Sequence, residues 1–274
     1  MPELAKRWKQ SIVIDNRPGA AGSLAHDFAA RAQPDGYTLY INSDTAMAYG
    51  ATGQSEYDAE KYFVPIGVMA NAQNICLGSI DSPAKTWSAL VAFAKANPGK
   101  VNWGSYLGTI NHVELLRLTR MAGMDVTFVP YNNSPAMTRA VLTGEVHIAC
   151  VSARKDNAEL AKSGRLIPLV AMGSERIAGL FPETPTFRNE KIDFAWDQVI
   201  SALFAPMGTP AAVINKIRAD LGEIMKQPDL VDKVRNGGFE PETRPLAETG
   251  AMLIRYSQQV KRTVQETGYK PPKQ

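Results

Sequence analysis

Three histidines, two cysteines and a scatter of hydroxyl residues are the groups in this chain that could do chemistry. Their spacing limits what chemistry that is. His26, His112 and His147 lie far apart, and no H-E-x-x-H stretch sets two imidazoles and a carboxylate on one helical face, so no zinc hydrolase is indicated. Gly104-Ser105-Tyr106-Leu107-Gly108 places a serine between glycines, but not at the G-x-S-x-G spacing of a nucleophile elbow. There is no Walker loop, and Gly19-Ala20-Ala21-Gly22 is too short to define a dinucleotide site. Cys76 and Cys150 have no C-x-x-C partner; each sits in an apolar run and reads as a buried small hydrophobe. The expectation is a protein with no metal, no cofactor and no catalytic residue. A Ser/His/Asp set assembled only in space stays open as the rival: an enzyme, hydrolase or isomerase, acting on a carboxylate with His112 as its titratable group.

What recurs instead is a strand, then a loop of small hydroxyl residues, then a helix. The clearest case runs Trp103-Gly104-Ser105-Tyr106-Leu107-Gly108-Thr109-Ile110-Asn111-His112, and a second is Asn42-Ser43-Asp44-Thr45-Ala46-Met47. Loop amides and a helix N-terminus offer free N–H donors and partial positive charge, which suit a carboxylate or phosphate without any lysine. An ordinary βα turn has the same local composition, and these residues alone do not separate the two.

The elements that must position these loops alternate along most of the chain. Strands are expected at 11–15, 37–42, 65–69, 75–79, 101–104, 126–130, 147–151, 166–171 and 199–205, and helices at 22–32, 86–96, 111–122, 135–142 and 156–162. Thr86 and Ser134 are the expected N-caps of two of them. After Ala205 two amphipathic helices follow with no strand of their own, at 210–227 and 246–264, so this part must return to cover an earlier sheet. The expected fold is α/β with two domains, each a mostly parallel sheet flanked by helices: domain I at 1–100 with 204–274, domain II at 101–203. Among 274 residues, 45% are hydrophobic and 21% charged, and Lys+Arg 30 against Asp+Glu 27 gives +3. That charge is interspersed, which argues against nucleic acid as partner. No run is apolar and long enough to span a membrane. The first ten residues hold no apolar signal region and read as the tail of an amphipathic helix.

Certain stretches are specific in combination: Asn16-Arg17-Pro18-Gly19-Ala20-Ala21-Gly22-Ser23, Pro34-Asp35-Gly36-Tyr37-Thr38-Leu39, Asn97-Pro98-Gly99-Lys100-Val101-Asn102-Trp103-Gly104-Ser105, Val129-Pro130-Tyr131, Thr143-Gly144-Glu145-Val146 and Phe204-Ala205-Pro206-Met207-Gly208-Thr209-Pro210. Across nearly the whole chain they resemble the Bug family, the solute-binding proteins of tripartite tricarboxylate transporters. The resemblance implies a type II periplasmic binding protein fold that closes on a small organic carboxylate in an interdomain cleft and hands it to membrane permease subunits, with localisation in the periplasm. Carried over position by position, it implies ligand contacts from Ser43 and Thr45 in one domain and from Ser105, Gly108, Thr109 and His112 in the other, with Tyr131 and Ser152 as weaker candidates. Arg17 and its neighbours read as a turn that fixes geometry.

This chain departs from the family pattern in two places. Members normally open with a signal peptide, a strand and a Pro/Gly-rich loop ahead of the helix that Leu4–Lys9 ends. Their absence implies a start assigned too late, a truncation, or a shortened protein whose pocket lacks a wall and whose open sheet edge recruits a partner strand. Further on, Cys150-Val151-Ser152 stands where an aspartate is common, and Ile200 near a frequent tryptophan, which implies a ligand without a cation at that point. A degenerate receptor acting through a protein partner is the remaining alternative.

Overall fold

The fold is that of a computed structural model and is described for residues 2–19, 22–106, 109–131, 133–196, 198–237 and 239–269, with backbone alone at 198–200. The chain forms two compact units, residues 1–71 with 199–274 and residues 72–198. In chain order the elements are α1 (Pro2–Trp8), α2 (Ser23–Ala30), β1 (Tyr40–Asn42), a 3-10 turn (Asp44–Met47), α3 (Tyr49–Thr52), α4 (Ala59–Tyr62), β2 (Phe63–Ala72), β3 (Asn74–Ser79), α5 (Trp87–Ala96), β4 (Val101–Ser105), α6 (Ile110–Ala122) and β5 (Val126–Pro130). They continue with α7 (Ser134–Leu142), β6 (Ile148–Ser152), α8 (Lys155–Lys162), β7 (Leu166–Ala171), β8 (Gln198–Pro206), α9 (Ala211–Met225), α10 (Pro228–Asn236), β9 (Glu240–Pro241) and α11 (Leu246–Thr267).

The first unit is built on a sheet of order β1-β8-β2-β9 covered on both faces. Alternation along β8 explains its continuous apolar run. Ala202 and Phe204 join Tyr40, Met47, Phe63 and Leu253 in one core, while Leu203 and Ala205 join Leu4, Ile66, Ile214 and Leu221 in the other. The strandless C-terminal segment covers this sheet. Arg218 of α9 donates to the carbonyls of Pro65 and Ile66, and Thr249 of α11 accepts from Val68 N at 3.0 Å.

The second unit has order β5-β4-β6-β3-β7. Strands β5, β4 and β6 run parallel, whereas β3 is antiparallel to both β6 and β7. The second sheet is therefore mixed rather than mostly parallel, and in the first the β1–β8 and β2–β9 pairs are antiparallel too. The physical reason is connectivity. Parallel neighbours need a crossover helix. Strand β3 enters the second sheet directly from the first unit through Gln73, with no helix carrying it over from a strand of its own sheet, and lies in the opposite sense between β6 and β7, which α8 joins. The same strand moves the first boundary from 100/101 to 71/72, because β3 pairs inside the second sheet and Trp87 of α5 packs edge-on to Trp103 and Phe187.

Three other expectations need correcting. Residues 11–19 are irregular, with Val13 86% and Ile14 64% exposed, because a β-branched run becomes a strand only where a neighbour completes its hydrogen bonds. The cap of α7 is Asn133, whose Oδ1 accepts from Ala136 N at 2.9 Å, and Ser134 falls inside the first turn. Cys76 and Cys150 face each other across β3 and β6 and form a disulfide, so these cysteines are a cross-strand staple and not free hydrophobes. The two apolar runs concealed a pairing that only strand register reveals.

The seat of α11 on β2 is tight. A Cβ at Gly67 would stand 2.6 Å from Leu246 O and 2.7 Å from Leu246 Cα, atoms of backbone that cannot swing aside. Gly67→Ala is therefore expected to destabilise the protein by about 1–3 kcal/mol, measured as a lowered urea midpoint at unchanged slope. An unaltered midpoint would mean that α11 is not fixed there.

Candidate functional site

Parallel pairing places the C-terminal ends of β4, β5 and β6 at one edge of the second sheet, and each strand is followed by a helix that starts there. Three helix N-termini thus meet one edge: α6 after Ser105, α7 after Tyr131 and α8 after Ser152. Connection order sharpens the point. From β4 the chain steps outward to β5, then back across β4 to β6, so right-handed crossovers put α6 on one face and α7 on the other. Such a reversal opens a crevice beyond the strand ends, here between β4 and β6, where open α/β sheets bind their ligands.

The loop after β4 is tied down by its own polar groups. Ser105 is fully buried and donates through Oγ to Asn111 Oδ1 at 3.4 Å, while Thr109 Oγ1 donates to Tyr106 O at 2.7 Å. The Tyr106 hydroxyl donates to Ser134 Oγ at 3.1 Å, linking this loop to the start of α7. Tyr131 N donates to Ser105 O at 3.0 Å, and the Tyr131 ring lies against Gly104, where a Cβ would come within 3.3 Å of it. The Tyr131 hydroxyl donates to Glu145 Oε1 at 2.7 Å; burial, reinforced by the Glu145 carboxylate, pushes this phenol up to about 12. The backbone O of Ser152 accepts from Asn157 Nδ2, and Arg154, next along, forms an ion pair with Asp156 at 3.4 Å.

His112 stands one turn into α6, edge-on to Phe128 at 5.0 Å between centroids, and burial holds its imidazole below the usual range. It is neutral near pH 7. The edge therefore carries amide and hydroxyl donors, with Arg154 and Lys155 at the start of α8 as positive charges nearby. Of the residues singled out in sequence, the structure brings Ser105, Thr109, His112, Tyr131 and Ser152 to this one edge; Gly108 lies outside the described residues. Ser43 and Thr45 sit together in the first unit at the end of β1. There Ser43 Oγ donates to Thr45 Oγ1 at 2.8 Å and accepts from Thr45 N, capping the 3-10 turn.

Sequence reasoning missed Asn111, Asn133 and Asn157, groups that hold these loops in shape, and took Ser134 for a cap where it accepts from the Tyr106 hydroxyl. Asn133 was detectable, since asparagine ranks with serine as an N-cap. Asn111 and Asn157 were not, because their partners belong to strand ends that only the fold brings near. Among the described residues no group of three or more His, Cys, Asp or Glu could hold a metal ion, and no helix is long and apolar enough to cross a membrane.

A two-unit α/β binding protein is the class that this fold and sheet edge define. Residues 2–269 match the tripartite tricarboxylate transporter family receptor, and the chain belongs to that family of receptors. It is 28% identical over 240 residues to a UPF0065 protein of Bordetella pertussis, covering 87% of this chain and 74% of that one. Two solved structures share the fold: a protein of R. palustris with adipate (TM-score 0.76, 24% identity, 99% of this chain and 91% of the other) and MatC from Rhodopseudomonas palustris with bound malate (TM-score 0.74, 24% identity, 97% and 91%). The family is one of substrate receptors, and the hydrolase or isomerase alternative has no support in it.

All three imidazoles are depressed by burial, and His26 is the most enclosed: it is caged by Tyr40, Tyr49 and Phe63, with Nε2 2.7 Å from Tyr57 O. Neutral imidazole is favoured in the fold. Their contribution is thus present above the unfolded value of about 6.5 and is lost as pH falls from there through the folded values. Stability should decline between pH 7 and 5, and His26→Asn should flatten that decline in denaturant titrations. An equal slope in the variant would remove His26 from the account.

Proposed function

We propose that this protein is a periplasmic receptor that captures a small organic carboxylate and delivers it to the permease subunits of a tripartite tricarboxylate transporter. The observation that carries this reading is the convergence of three helix N-termini and their loop donors on one sheet edge of a receptor-family protein. Such an edge satisfies a carboxylate with neutral N–H groups and helix dipoles, which hold an anion firmly without the desolvation cost of burying a lysine. The two structural neighbours hold adipate and malate, which are small organic carboxylates of the class proposed. A periplasmic setting agrees with the Cys76–Cys150 disulfide, since disulfides persist in oxidising compartments.

In this reading the loop from Ser105 to Thr109, with the Gly108 amide, supplies the main grip. Tyr131 and Ser152 flank it. His112 acts as a neutral neighbour that shapes the loop's exit, so affinity should not follow an imidazole titration. Ser152 presents a hydroxyl and no counter-charge for a ligand amine, which favours plain carboxylates over amino acids.

A panel of mono-, di- and tricarboxylates and amino acids in thermal unfolding tests this directly. A ligand at 100 times its Kd stabilises the fold by about 2.7 kcal/mol. Carboxylates without an amine should give the shift, and Thr109→Ala should weaken the best of them by about 1–3 kcal/mol through loss of the hydroxyl that closes the loop. No shift from any carboxylate, or full affinity in Thr109→Ala, would contradict the assignment.

A further inference from the structure

The chain passes between its two units twice, at 71/72 and at 198/199, and each passage is flanked by a buried carboxylate paired with an arginine three or fewer residues away. In the first unit Glu242 accepts from Asn71 Nδ2 at 3.1 Å, from Arg244 Nη2 at 2.6 Å and Nε at 3.0 Å, and from the backbone N–H groups of Thr243 and Arg244. Asn71 is the last residue of that unit on the outward passage, and it also pairs with Glu240 of β9. Two residues on, Gln73 O accepts from Ala153 N at 2.7 Å and so belongs to the second unit. Ala72 alone lies between these two fixed points.

In the second unit Glu114 is fully buried on α6 and takes Arg117 Nε at 2.8 Å on Oε2. Arg117 then lies over the Phe194 ring, 4.2 Å from its centroid, and donates to Ala195 O at 3.5 Å. Trp196 N donates to Met172 O at 2.7 Å. The return passage therefore leaves the second unit from a segment held by α6, the same helix whose N-terminus lies at the candidate site. Leaving Glu114 charged in an apolar site without Arg117 would be costly, so the pair acts as one piece.

We propose that Glu242–Arg244 and Glu114–Arg117 are positioning pairs that root the two crossing segments on their own units, limiting bending on the outward passage to the single residue between Asn71 and Gln73 and coupling α6 to the return passage. The part concerning ligand release rests on the receptor reading above; the part concerning bending does not.

Nitroxides on Lys162→Cys and Asp229→Cys, one in each unit, read the distance between them by pulsed electron resonance in ligand-free protein. The native cysteines are already paired and leave the labels unambiguous. The distribution should broaden in Arg117→Met and in Glu242→Gln. It should stay unchanged in Lys261→Met, which breaks the Lys261 pairs with Asp58 and Glu60 at another place in the first unit and lowers stability without touching a crossing. If Arg117→Met does not fold, Arg117→Lys takes its place, keeping a charge for Glu114 while losing the stacked fork on Phe194 and Ala195. Malate and adipate, tested for binding to the same variants, should dissociate faster from Arg117→Met than from the parent, with unchanged association. Unchanged distance distributions in both variants, or equal broadening in Lys261→Met, would overturn the proposal. A failure of both acids to bind the parent protein would count against the receptor reading and leave the distance result standing.

Discussion

The parallel register of β5, β4 and β6 is the constraint on which the functional part of this protein depends. Parallel strands must end at the same edge, and each must there turn into a helix that carries the chain back. Helix N-termini, whose first amides have no partner within the helix, are consequently delivered together, and the edge's preference for negative charge follows from the backbone before any side chain is chosen. The side chains nearby mostly keep these turns in shape: Asn111 on Ser105, Tyr106 on Ser134, Asn133 on α7, and Asn157 on Ser152.

That division of labour explains what could be read from the sequence. The strand-loop-helix units were legible because their periodicity and small-residue loops are local signals; β5 and β7 lie at the expected residues, and Thr86 caps α5. The return of the C-terminal helices to an earlier sheet followed from their having an apolar face and no strand. What depended on pairing was not legible. Strand direction, the place of β3 in the second sheet and the Cys76–Cys150 bond all rest on register between segments some seventy residues apart. Residues 11–15 show the converse case, strand-like in composition but irregular and exposed.

The electrostatics fit a receptor that must release as well as bind. Burial keeps His112 neutral and the Tyr131 phenol protonated, so neither group imposes a charge change on a carboxylate near neutral pH. Full charges are instead invested in holding the frame. Asp220 gathers Lys216, Arg7 and Trp8 and so pins α1 to α9; the hydrogen bond from Lys216 leads in drawing its carboxyl down to about 2. Glu242 is likewise held at about 2: burial pushes it upward, and Arg244, the backbone amides and Asn71 together outweigh that. On acidification these two carboxylates stay ionised wherever an ordinary carboxylate ligand does.

The central claim, that a carboxylate is held by backbone donors at the shared edge of β4, β5 and β6, is tested most directly by amide chemical-shift mapping on isotopically labelled protein. As the carboxylate selected in thermal unfolding is titrated, the largest shifts should fall on amides of residues 105–112, 131–136 and 152–157. Shifts confined to the opposite edge, around Val101, Val126 and Ile148, or to the helices of the first unit, would contradict the account.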